Sequence, residues 1–144
     1  MKLIGHPESN RMFVNLALKY CLAVFIAGVG LYQLAAQRNS LKGILFFRSK
    51  TWTVLFACVT IIPALLYFFS WNYRNATGII EGSQQAALFV GSIAAALFFT
   101  LLVSSWLNHS RLPAVKARDT GIEALRTATF LQALRRRYGA HLED

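Results

Sequence analysis

Polar stretches divide this chain into three long apolar runs. The strongest lies near residues 85–107. From Ala86 to Leu107 it carries no charged side chain and no proline. At about 1.5 Å of rise per residue such a helix reaches roughly 33 Å, enough to cross the ~30 Å hydrocarbon core of a bilayer. A second run covers Thr51 to Trp71. The first has a strict core from Tyr20 to Ala36 and an outer limit at Phe13. The pattern predicts an all-α integral membrane fold. Its spans are about 13–36, 51–71 and 85–107, joined by a basic loop at 37–50 and an outer loop at 72–84. A basic amphipathic tail, 108–144, follows. The first run has no long basic segment and no clean small-residue cleavage site ahead of it, so it is read as a retained span rather than a leader.

Composition agrees. The 144 residues are 56% hydrophobic and only 15% charged, against about 25% charged in an ordinary soluble domain. Fifteen Lys and Arg face six Asp and Glu, a formal net charge of +9. In a soluble protein that excess would suggest nucleic acid. Here the cations lie between and after the apolar runs, as membrane proteins place them, and no nucleic-acid partner is expected.

Small residues mark the faces where helices meet. Ala23, Ala27 and Gly30 share a face of the first span, with Gly28 nearby. The third span carries two rows at four-residue spacing. One is Ala87, Gly91 and Ala95; the other is Ser92, Ala96, Thr100 and Ser104. Ridges of small side chains let two backbones approach closely. The rows lie about 100° apart, so a single neighbour does not take both. Two readings stand: packing among the three helices, or docking of at least one row on another chain. Pro63 predicts a kink or irregularity near Val59–Pro63, with the Thr60 hydroxyl available to a freed carbonyl.

The loops and tail carry the charge. Arg38, Lys42, Arg48 and Lys50 in the first loop alternate with Leu41, Ile44, Leu45, Phe46 and Phe47, a mixture suited to anionic lipid headgroups. The second loop contains the sequon Asn75-Ala76-Thr77, too close to the membrane to be glycosylated, and turn signals at Thr77-Gly78 and Gly82-Ser83. In the tail, Pro113 ends any continuation of the third span. Asp119 or Thr120 is the expected N-cap of a helix with Ala124, Ala128, Leu131, Leu134, Tyr138 and Leu142 on one face. Arg135, Arg136 and Arg137 cluster toward its C-terminal end, facing solvent, anionic lipid or a partner.

The cation distribution sets an orientation. Lys2, Arg11, Lys19 and Arg74 fall on one side. Arg38, Lys42, Arg48, Lys50, Arg111, Lys116 and Arg118 fall on the other, with four more arginines further along the tail. The positive-inside rule then places the N-terminus outside and the C-terminus in the cytoplasm. Tyr20, Trp71 and Tyr73 would mark the outer interface, and Tyr32, Trp52 and Trp106 the inner one. Cys21 and Cys58 fall at different depths and are not expected to pair.

Chemistry is sparse. No Asp, Glu or His lies within a span, and His6, His109 and His141 are far apart. No cysteine cluster, nucleophile–base pair or phosphate-binding glycine loop is present. Gly28-Val29-Gly30 fits helix packing. No cofactor, metal or catalytic residue is expected, and the chain is read as a non-enzyme. The expected role is a non-catalytic accessory, structural or assembly subunit of a larger cytoplasmic-membrane complex of respiratory, photosynthetic or secretion type. Its partners would be other integral membrane subunits and anionic lipid headgroups. Two alternatives stay open. One is a small homo-oligomeric transporter or flippase, suggested by Pro63 and the loop cations. The other is a tether recruiting a soluble partner through the tail. A mitochondrial inner membrane is the alternative location.

Overall fold

The computed structural model describes residues 7–74, 80–110 and 121–139. Its elements are α1 (Pro7–Arg38), α2 (Lys50–Arg74), α3 (Gly82–Asn108), a 3₁₀ helix (Gly121–Arg126) and α4 (Phe130–Gly139). Among the described residues there is no strand. The stretches Arg11–Arg38, Lys50–Ser70 and Gly82–Asn108 are long and apolar enough to cross a membrane.

Each helix outruns its apolar core. Helix α1 begins at Pro7, where a missing N–H costs nothing because first-turn donors have no partner within the helix. Arg38 is therefore the last residue of α1 and Lys50 the first of α2, rather than loop residues. Gly82 and Ser83, expected as a turn, open α3. The Glu81 N–H ahead of them donates to Gln84 Oε1 at 3.3 Å. Helix α2 runs unbroken through Pro63. Pro63 cannot donate to the Val59 carbonyl, yet the Thr60 hydroxyl does not turn there. It donates to the carbonyls of Phe56 and Ala57, 3.0 Å each.

Helix α1 is the centre of the arrangement. It packs against α2 and against α3, while among the described residues no Cα of α2 comes within 8 Å of one on α3. Two glycines of α1 serve the two neighbours. A Cβ on Gly28 would stand 3.0 Å from Ala96 Cβ and 3.2 Å from Ile93 Cδ1 on α3. A Cβ on Gly30 would collide with Thr60 Oγ1 on α2 and lie 3.2 Å from Ile61 Cγ1. Phe25 meets Phe99 edge-on at 5.4 Å, and Tyr20 meets Phe68 at 6.3 Å. Tyr20, expected at the outer interface, is buried with Ala17, Val24 and Ile80, and Phe13, Leu16, Tyr67 and Leu88 pack around them. Tyr32, expected at the inner interface, is half-buried and donates to the Ile93 carbonyl at 3.3 Å. Each ring is turned toward a neighbouring helix, Tyr20 toward α2 and Tyr32 toward α3.

The interior mixes apolar side chains with buried hydroxyls and amides, and the exterior is largely apolar. The largest fully buried side chains are Gln33, Thr53, Thr100, Thr129, Ser104 and Ser105. Leu18, Leu66, Val90 and Phe98 each expose more than half of their surface. In water this arrangement would be unfavourable. Against hydrocarbon, apolar side chains gain little by burial, and hydroxyls and amides gain by bonding inside the protein.

The tail differs from the single helix expected. Asp119 and Thr120 lie outside the described residues. Gly121–Arg126 is 3₁₀, and the α-helix starts only at Phe130. Thr129 is the cap: its hydroxyl accepts from the Gln132 N–H at 3.3 Å, and its own N–H donates to Gln132 Oε1 at 3.1 Å. This reciprocal pair satisfies two donors at the new helix start. The expected stripe is split accordingly. Ala124 and Ala128 are buried before the break, while Leu131 and Leu134 in α4 are exposed; Leu142 lies outside the described residues.

Candidate functional site

The two rows of small residues on α3 meet different fates. Ser92, Ala96, Thr100 and Ser104 are all buried. Their hydroxyls bond to their own helix: Ser92 to the Leu88 carbonyl at 2.7 Å, Thr100 to Ala96 at 2.7 Å and Ser104 to Leu101 at 3.2 Å. These side chains therefore need no partner across the interface, and α1 comes close. Ala87, Gly91 and Ala95 are exposed, and nothing lies within 4 Å of a Cβ built on Gly91. On α1, Gly30 is buried between helices and Ala23 and Ala27 are half-buried.

The loop between α1 and α2 folds inward. Helix α1 ends with the Leu41 N–H reaching the Ala36 carbonyl at 2.9 Å and with Ser40 in the left-handed region, φ 57°. Gly43 and Leu45 are buried. Two side-chain amides hold this backbone. Gln33 Nε2 donates to the Ile44 carbonyl at 2.9 Å, and Gln33 Oε1 accepts from the Phe46 N–H at 2.8 Å. Asn108 Nδ2 donates to the Leu45 carbonyl at 2.7 Å and to Ser104 at 3.0 Å. Thr53, fully buried, donates back to the Ser49 carbonyl at 3.1 Å.

The tail closes the same end. The Gly43 N–H donates to the Leu125 carbonyl at 2.8 Å, and the Leu131 N–H donates to Ser105 Oγ at 3.2 Å. A side chain at residue 43 would strike the Ala128 carbonyl, so only glycine permits this approach. Gln33, Asn108, Ser105 and Gly43 are the residues that sequence reasoning passed over. A search for charged or histidine side chains cannot find them. The usable signal was an amide, Gln33, inside an apolar run, where a polar group demands a bond.

The cations surround this end. Arg38, Lys42, Arg48, Lys50 and Arg135 are all exposed. Arg136 and Arg137 continue α4, but their side chains fall outside the described set. Among the described residues one ion pair forms, Arg126 with Glu123 at 3.2 Å, on the surface. Trp52 and Trp106 project outward, 61% and 79% exposed, as interfacial anchors do. Between the end of α3 and α4 lies an open cleft of about 540 Å³, almost wholly apolar in lining, formed by His109, Leu131, Gln132, Leu134 and Arg135. Pro63 is exposed on α2 and belongs to neither surface. Cys21 and Cys58 are free thiols on different helices.

Comparison with known proteins finds no matching family, no similar characterised protein and no solved structure of similar fold.

Proposed function

We propose that this chain is a non-catalytic accessory, structural or assembly subunit of a larger complex in the cytoplasmic membrane. It crosses the membrane three times, with the N-terminus outside and the basic end, loop plus tail, in the cytoplasm. The observation that carries the reading is the contrast on α3. One row of small residues is buried, with Ala96 against Gly28 of α1, while Ala87, Gly91 and Ala95 are exposed and the space beside Gly91 is open. Helix α2 packs on α1, and among the described residues no other helix covers this row. A close-packing surface turned toward lipid gains nothing from the lipid itself and suits another membrane helix.

The test is purification of the tagged chain from its own membrane in mild detergent, with a photo-crosslinking residue at Ala87 or Gly91 and, as control, at Leu66 on α2. Defined adducts from the α3 positions and none from Leu66 are expected. Gly91→Leu should abolish co-purification and leave the melting temperature unchanged, because space is open there. A chain recovered alone and monodisperse, without α3 adducts, overturns the reading.

A further inference from the structure

We propose that the cleft between α3 and α4 is a binding site for one anionic phospholipid. The inference rests on the membrane placement of the three helices and not on the partner surface of α3.

Three observations converge on this occupant. The first is position. His109 directly follows the last residue of α3. The cleft therefore opens where an apolar span ends, at the level where hydrocarbon gives way to headgroups. The outward-turned Trp106 lies one turn earlier on α3. The second is lining. Leu131 and Leu134 are 44% and 40% exposed and leave apolar surface open to an acyl chain. The third is charge. Arg135 lines the same cleft and is exposed. The described carboxylate in the tail, Glu123, is already engaged by Arg126. The site thus sets the exposed cation Arg135 beside apolar walls at interfacial depth, which matches a lipid phosphate with its chain. An acidic peptide would match the charge and leave the leucines unmet.

The cleft is also held in place. The Leu131 N–H bonds Ser105 Oγ on α3, Gln132 Nε2 reaches the His109 carbonyl at 3.5 Å, and Thr129 caps α4. Arg135 and Leu134 are thereby carried on a helix fastened to the end of the span, and the guanidinium bonds phosphate oxygens in a fork that lysine cannot offer.

The experiment is native mass spectrometry of the full chain in detergent with phosphatidylglycerol, phosphatidylcholine or chain-free glycerophosphoglycerol added. One phosphatidylglycerol retained in preference to phosphatidylcholine, with no retention of the chain-free headgroup, is expected. Arg135→Gln should weaken retention by about fivefold, the factor one cation contributes at an anionic surface. Leu134→Asn, which changes no charge, should weaken it as well. Lys42→Gln, an exposed cation outside the cleft lining, should not. Equal losses for Arg135→Gln and Lys42→Gln, with none for Leu134→Asn, would reduce the effect to diffuse attraction and overturn the site. Phosphatidylglycerol displaced by a glutamate-rich peptide would reassign the cleft to a protein. Each variant is first checked for an unchanged melting temperature. A chain missing from the membrane fraction would sink the membrane reading itself, which is a different result from a membrane-embedded chain without lipid preference.

Discussion

Gln33 on α1 and Asn108 on α3 hold neighbouring peptide groups of one loop: Gln33 takes the Ile44 carbonyl and the Phe46 N–H, and Asn108 takes the Leu45 carbonyl between them. Helices α1 and α3 are thereby tied through a loop that belongs to neither. Gln33 is fully buried, so its loss leaves the Ile44 carbonyl and the Phe46 N–H, both on half-buried residues, without these partners. Each unmet group costs about 1–3 kcal/mol. Gln33→Leu is expected to destabilise the folded chain by about 2–4 kcal/mol, read as a fall in melting temperature in detergent. Gln33→Glu keeps an acceptor for the Phe46 N–H but sets a buried, unpaired carboxylate against the Ile44 carbonyl, and at neutral pH should destabilise at least as much as the leucine variant.

Gly30 on α1 lies closely against Thr60 on α2, with no room for a Cβ. Gly30→Ala would force the Thr60 hydroxyl aside or the helices apart, and overpacking of this kind costs about 1–3 kcal/mol. Thr60→Ala removes the colliding oxygen. The double variant is therefore expected to recover part of the loss, although Thr60 Cβ would still lie 3.3 Å from the added methyl. A double-mutant cycle on thermal stability measures the coupling. Strict additivity would contradict the proposed contact. Gly28→Ala should cost less, since the atoms it meets are side-chain carbons at 3.0 and 3.2 Å.

Gly43 is where the tail lies against the loop. Gly43→Ala drives a methyl into the Ala128 carbonyl, which is backbone and cannot swing away. The expected result is release of the 3₁₀ helix and α4, with the three spans intact. Limited proteolysis should cut the variant faster within 121–139 and leave the helical circular dichroism nearly unchanged. A tail equally protected in both proteins would show that the Leu125 and Ala128 contacts do not hold it.

Ser40 ends α1 in the left-handed region, which costs an L-residue about 1–2 kcal/mol. Glycine removes that cost at an entropic penalty of about 0.5–1 kcal/mol. Ser40→Gly is thus expected to be neutral to stabilising by up to about 1 kcal/mol. Ser40→Val should destabilise, because a β-branched side chain tolerates this conformation poorly. Melting of the two variants side by side checks the sign.

The three apolar helices were legible because their signal is local. Length and hydropathy need no knowledge of neighbours, and the uncharged run from Ala86 to Leu107 lies inside α3 as observed. The tail was less legible. Its hydrophobic spacing suits one helix, but the Thr129–Gln132 cap and the bond from Gly43 to Leu125 favour a break that periodicity does not register.

By itself the sequence determined which stretches are apolar enough for lipid, where the cations gather, and that α3 carries two rows of small residues. Only the tertiary structure decided which row α1 would cover, that Tyr20 and Tyr32 turn inward, and that Gln33 and Asn108 fasten the loop. The reason is rotational. Composition sets how well a helix dissolves in a membrane, but its facing about its own axis is set by the backbones it meets, and those meetings here depend on glycines and amides far apart in the chain.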